Sequence, residues 1–187
     1  MSARALGDGK SSDNRGNSKN GLVEIASPGI RRLNMSKQTF EERVEELSQQ
    51  CRWAVAFFRE MSEDFGEEKA LEIASRALTK VQQENARRTA EKYGATFKGF
   101  RDYMREVTSR LDNIRIVEEG DDFIRTSSHR CAAWDALNRY ELPQLCRVYC
   151  DTDPAYVQAF SPKLTIKAKC RLSDGGPSCD YIWKWEE

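Results

Sequence analysis

The chain has 187 residues, enough for one domain with a sizeable core. Its 39% hydrophobic and 32% charged residues mark a globular composition with a highly charged surface. The 30 Lys and Arg balance the 30 Asp and Glu, which removes a global electrostatic case for nucleic acid or a membrane surface; no apolar run approaches the roughly 20 residues of a membrane span.

Residues 1–35 are rich in Gly, Ser, Asn and charge and bury too little apolar surface to offset ordering entropy. They read as a disordered leader, broken by Pro28-Gly29 after a short apolar island, Leu22 to Ile25. The N-terminus lacks the apolar core of a secretory signal. Six cysteines in a chain this long are not a covalent scaffold, so the thiols read as reduced and the compartment as cytoplasmic.

Residues 36–187 read as a single α+β catalytic domain, with a helical part over 36–112 and a sheet part over 113–187. Thr39 with Glu42 makes a capping-box pattern. Phe40, Val44, Leu47, Cys51, Val55, Phe58 and Met61 follow at helical spacing, which predicts a long amphipathic helix to about Asp64 with Cys51 in the core. Gly66 suits a left-handed C-cap, and Glu67-Glu68 favours the start of a second helix that runs to about Tyr93. Its alanine-rich face fits internal packing or a homodimer, so monomer and homodimer both stand. Phe97, Phe100, Met104, Val107 and Leu111 mark a third helix.

The period then changes. Ile114 to Glu119 and Asp122 to Ser128 read as a hairpin. Leu142 to Phe160 reads as an inserted helix broken near Asp151, because the residue before Pro154 avoids helical angles. Lys163 to Leu172 alternates like a half-buried strand. Asp174-Gly175-Gly176 turns the chain, and Cys179 to Trp185 supplies the last strand. The expected fold is long N-terminal helices packed on a C-terminal antiparallel β-sheet with an inserted helix.

The stretch from His129 to Cys179 holds the only histidine and five of the six cysteines. We expect His129, Cys131, Cys150, Asp151, Asp153 and Cys179 to meet in one pocket. Cys150 is a candidate nucleophile whose pKa would fall if it opened the helix after it, with His129 as general base oriented by Asp151 or Asp153. Alternatively Asp151 or Asp153 activates water and the thiols only line the pocket. Asp153 also suits a plain helix cap. Arg130 is a candidate for a substrate carboxylate or for a surface ion pair. A zinc set of His129, Cys131, Cys150 and Cys179 is the metal alternative to a cofactor-free site, although no paired Cys-x-x-Cys knuckle accompanies it. Trp183 and Trp185 read as core or pocket walls.

Three segments carry a family resemblance: Arg130-Cys131; Cys150-Asp-Thr-Asp153-Pro-Ala-Tyr156 through Leu164; and Leu172-Ser-Asp-Gly175-Gly176-Pro-Ser-Cys179-Asp180-Tyr181-Ile-Trp183. Over roughly residues 40 to 186 the chain resembles the L-2-amino-thiazoline-4-carboxylic acid hydrolase family. The resemblance implies hydrolytic opening of a cyclic C–N/C–S amidine that bears a carboxylate, giving an N-carbamoyl amino acid. For such chemistry Cys150, His129, Asp151 and Asp153 are the catalytic candidates, and Arg130, Cys131, Tyr156 and Cys179 the candidates around the substrate. A cofactor-independent tailoring enzyme and a non-catalytic sensor-like binding domain are the other readings.

Overall fold

The computed structural model describes residues 38–111 and 113–186. Residues 1–35, read as a leader, lie outside the described residues. The described residues form one unit. In chain order come α1 (Phe40–Phe65), α2 (Glu67–Tyr93) and α3 (Phe97–Arg110). The hairpin β1 (Arg115–Glu119) and β2 (Phe123–Ser128) follows, then α4 (Ala132–Asn138), α5 (Pro143–Cys150) and α6 (Asp153–Phe160), and last β3 (Leu164–Cys170) and β4 (Cys179–Trp185). This is the α+β arrangement expected.

Local signals act where the residues place them. Thr39 Oγ1 accepts from the Glu42 N–H and the Glu42 carboxylate from the Thr39 N–H, closing the capping box that starts α1. Gly66 separates α1 from α2 at φ 84° and ψ 152°. That is a positive φ, as expected of glycine, but in an extended form and not the left-handed helical one. Gly99 is needed for close approach: a Cβ there would collide with the Tyr93 and Gly94 carbonyls, where α3 folds back on the end of α2.

The four strands form one antiparallel sheet in the order β1-β2-β4-β3. On β2 burial alternates residue by residue, with Ile124, Thr126 and Ser128 inward. Two apolar cores result. One lies between the sheet and α2, α3 and α6, built on Phe100, Met104, Ile124, Val157, Phe160 and Leu164. The other is helical, where Val55 and Phe58 of α1 and Ala70 of α2 meet Leu137, Leu145, Cys146 and Cys150. Each fully buried large side chain, Phe100 for example, contributes about 1.5–3 kcal/mol by leaving water. Helix α2 runs through both cores, and the α5–α6 junction sits at their seam.

The insertion between β2 and β3 is three short helices where one broken helix was expected. Helix α4 was not predicted; its seven residues are too few to display a period. The break falls at Asp151-Thr152. Thr152, not Asp153, takes the cap position of α6, and its hydroxyl donates to the Tyr149 carbonyl at 2.6 Å.

Candidate active site

A hollow of about 610 Å³ lies between α2, α3 and the α5–α6 junction. Its walls are aromatic: Tyr93, Phe100, Tyr103, Tyr149, Tyr156 and Trp183. These rings are held against one another. Phe100 and Trp183 have centroids 5.4 Å apart, and Tyr103 and Tyr156 stack at 6.4 Å with 27° between planes. Trp183 is fixed by its indole N–H, which donates to Thr126 Oγ1 at 3.1 Å. Tyr149 leaves 45% of its surface exposed. The Tyr156 hydroxyl is buried among the described residues without a hydrogen-bond partner.

Two carboxylates line this hollow, and their surroundings push them apart. Glu106 interacts with the Tyr93 hydroxyl, Arg110 and Lys92, which hold it below its ordinary pKa. Asp153 is pushed up to about 7, first by burial and then by the nearby Cys150 sulfur; Arg171 and the Tyr181 hydroxyl pull the other way. Asp153 is thus poised to take or give a proton near neutrality, while Glu106 stays charged.

Behind Asp153 lies a cluster of thiols. Cys146 stands between Cys131 and Cys150 and interacts with both. Hydrogen bonding to these two sulfurs, together with burial, pushes the Cys146 thiol far up, so it stays protonated; its donation draws Cys131 and Cys150 down. Cys146 and Cys150 expose only 1% and 8% of their surface, and neither lines the hollow. Tyr181 faces both Cys150 and Asp153, and burial keeps its phenol protonated.

The residues expected to converge are divided by the structure. Asp153 and Tyr156 line the hollow. Cys131 and Cys150 meet in the thiol cluster. Cys150 ends α5 and does not open α6, so the helix N-terminus expected to lower its pKa is not there. Cys131 is the cap of α4, its Sγ accepting the Trp134 N–H at 3.4 Å. Cys179 opens β4, accepts the Leu172 N–H at 3.3 Å, and is pushed up to about 11 by burial. Asp151 turns outward and pairs with Arg171 at 2.6 Å.

His129 and Arg130 are exposed and line a second hollow of about 290 Å³ with Asn113, Arg115, Val117 and Ser127, apart from Asp153. They follow β2 in the short segment before α4 and face this second hollow, which corrects the expectation of one shared pocket. Arg130 binds Glu41 at 2.9 Å and lies 3.5 Å from the centroid of the Phe40 ring. It fastens the start of α1, the ion-pair reading of its role. The zinc set does not assemble either: among the described residues no three His, Cys, Asp or Glu side chains are arranged to hold a metal ion. His129 facing the other hollow removes its only nitrogen ligand.

A family model described as L-2-amino-thiazoline-4-carboxylic acid hydrolase matches residues 45–183. The chain belongs to this family. Comparison with curated proteins gives no match. The matched span of the hydrolase family contains every residue that lines the 610 Å³ hollow and all three thiols of the cluster behind it. The family description names a hydrolase and a thiazoline carboxylic acid.

Several residues of this hydrolase-family site escaped sequence reasoning. Gln82, Asn85 and Thr89 bring polar groups to the hollow from α2, where Gln82 is buried. Their spacing of three and four residues was a legible signal: a polar line on a helix otherwise read for its apolar face. Arg171 follows β3 directly and Tyr181 lies within β4, where nothing in the pattern separates them from packing.

Proposed function

We propose that the protein hydrolyses a carboxylate-bearing cyclic amidine of the thiazoline type, with Asp153 as the group that moves the proton. The observation that carries this reading is the placement of a half-buried carboxyl, pushed up to about 7, in the wall of the aromatic hollow. Water attacks the amidine carbon while the Asp153 carboxylate takes one of its protons. The carbon–nitrogen π pair moves to the ring nitrogen. As the carbonyl forms, the carbon–sulfur bond breaks, the hydroxyl proton passes to that nitrogen, and Asp153 returns its proton to the leaving sulfur. The product is an N-carbamoyl amino acid with a free thiol, and both carbon–nitrogen bonds are kept.

Electrostatics at the mouth support a carboxylate substrate. Arg88, Lys92 and Arg110 line the hollow. Among the described residues Arg88 pairs with Glu84, one turn away on the same exposed helix face, a contact a substrate can exchange. Arg88 therefore takes the carboxylate role that the sequence suggested for Arg130. The six free thiols suit a reducing compartment such as the cytoplasm.

A direct test follows the thiol released from 2-amino-thiazoline-4-carboxylate over many turnovers, so that the protein's own thiols are a fixed background. Steady release by the wild type, lost in Asp153→Asn and kept in Cys150→Ser, is the expected result. Loss in Cys150→Ser with full activity in Asp153→Asn would replace this route by attack of the thiolate.

A further inference from the structure

We infer that the molecule opened at Asp153 carries a flat aromatic group beyond its five-membered ring, seated against Tyr149, Tyr156 and Trp183. This rests on the hydrolase reading above and narrows its substrate class. Size is the first argument. A bare aminothiazoline carboxylate has about nine non-hydrogen atoms, whereas hollows of about 300–1,000 Å³ enclose drug-sized ligands; this one measures about 610 Å³. A small polar ring alone would leave most of the aromatic wall wet.

The lining is the second argument. Gln82, Asn85, Arg88, Thr89 and Lys92 bring polar and charged groups from α2, while Phe100, Tyr103, Tyr149, Tyr156 and Trp183 bring rings from the other elements, beside the carboxyls of Glu106 and Asp153. Tyr156 is stacked on Tyr103 and Trp183 packs tilted against Phe100, so both rings are held in place in the wall. Tyr149 offers the exposed ring: it interacts through its hydroxyl with Gln82 yet leaves 45% of its surface open. The buried Tyr156 hydroxyl has Thr89 and Tyr103 beside it but no well-formed hydrogen bond among the described residues, so a ligand atom can complete its bonding.

Binding separates this inference from the hydrolase reading. Titration calorimetry on the full chain would use two aromatic thiazoles that resist opening: 2-aminothiazole-4-carboxylate and its 5-phenyl derivative. The phenyl compound should bind at least about tenfold more tightly, the effect of one or two added ring contacts. Folded Tyr149→Ala and Trp183→Leu proteins should each lose most of that preference. Equal affinity, weaker binding of the phenyl compound, or no binding of either overturns the inference. So does a preference that survives both substitutions, since the ring would then sit elsewhere. Failure to hydrolyse any thiazoline would sink the hydrolase reading while leaving this binding result to stand or fall by itself.

Discussion

The hollow and the thiol cluster share one short stretch of chain, Tyr149 to Asp153, yet they differ in their access to water. Tyr149 and Asp153 face the hollow. Cys150, between them, turns into a core of Val55, Phe58, Leu137 and Leu145. A one-turn change of direction thus sends a carboxylate toward substrate and a nucleophile into packing. The lesson is that nucleophilicity is not enough: Cys150 is drawn down in pKa, but of the two only Asp153 lines the hollow. Asp151, two residues from Asp153, makes the same point in reverse, since it is exposed but neutralised by Arg171.

The strongest way to break this comparison is to exchange the two groups' fates by mutation. Asp153→Asn should lower kcat/KM by about a thousandfold, within the usual range for a lost general acid or base. Cys150→Ser should stay within about fivefold. The pH profile supplies the sign. Asp153 must be ionised to accept a proton from water, so kcat/KM should fall about tenfold per unit as pH drops below about 7, and this limb should vanish in any residual Asp153→Asn activity. A profile flat from pH 5 to 8 in the wild type would remove Asp153 from the reaction.

The sequence exposed the architecture better than the site, for a physical reason. Helices α1, α2 and α3 span 26, 27 and 14 residues and repeat their apolar period several times. Helix α4 has seven and repeats it barely twice. The Cys150–Asp153 segment was legible as chemistry because Pro154 forces a break beside two acids. Which of those acids faces inward was not legible, because Asp151 and Asp153 differ only in where α6 points them. His129 misled for a related reason: a lone imidazole near Cys131 in sequence lies beyond the turn from β2 into α4, where the chain reverses away from the hollow. Glu106 and Arg110 were invisible as site residues because only the packing of α3 against α2 brings them to the rim.

A second prediction sharpens the contrast through stability. Burial raises Asp153 from its ordinary 3.8 to about 7. Between those values the unfolded chain releases a proton that the folded protein keeps. Stability is therefore fully present below about pH 4 with respect to this group, declines as pH rises toward 7, and is flat above it. Asp153→Asn should remove that decline and raise stability at pH 8 by about 1–3 kcal/mol, discounted for the face open to the hollow. Denaturant unfolding at pH 4 and pH 8 measures it. A destabilised Asp153→Asn at pH 8 would mean that the carboxylate is held by its partners and not penalised.

The thiol side should answer oppositely. Cys146→Ala removes a sulfur buried between α4 and α5 and should cost about 1–2 kcal/mol, with catalysis unchanged within about threefold. Loss of most activity in a protein that remains folded would bring the thiols back into the mechanism.

The smallest effect belongs to Arg130. Its guanidinium pairs with Glu41, and both side chains are more than half exposed, at 55% and 72%, so solvent screens the pair. Contact with the Phe40 ring adds a cation–π component, and Phe40 itself is buried beneath it. Arg130→Ala should therefore cost no more than about 1 kcal/mol, with part of the loss removed by high salt. Because Arg130 lies in the second hollow and not beside Asp153, KM for a carboxylate substrate should not move, whereas Arg88→Ala should raise it about tenfold with kcat kept. A KM that rises in Arg130→Ala and not in Arg88→Ala would mean that the substrate carboxylate is read from the His129 side, and the division between the two hollows would no longer describe how the protein binds.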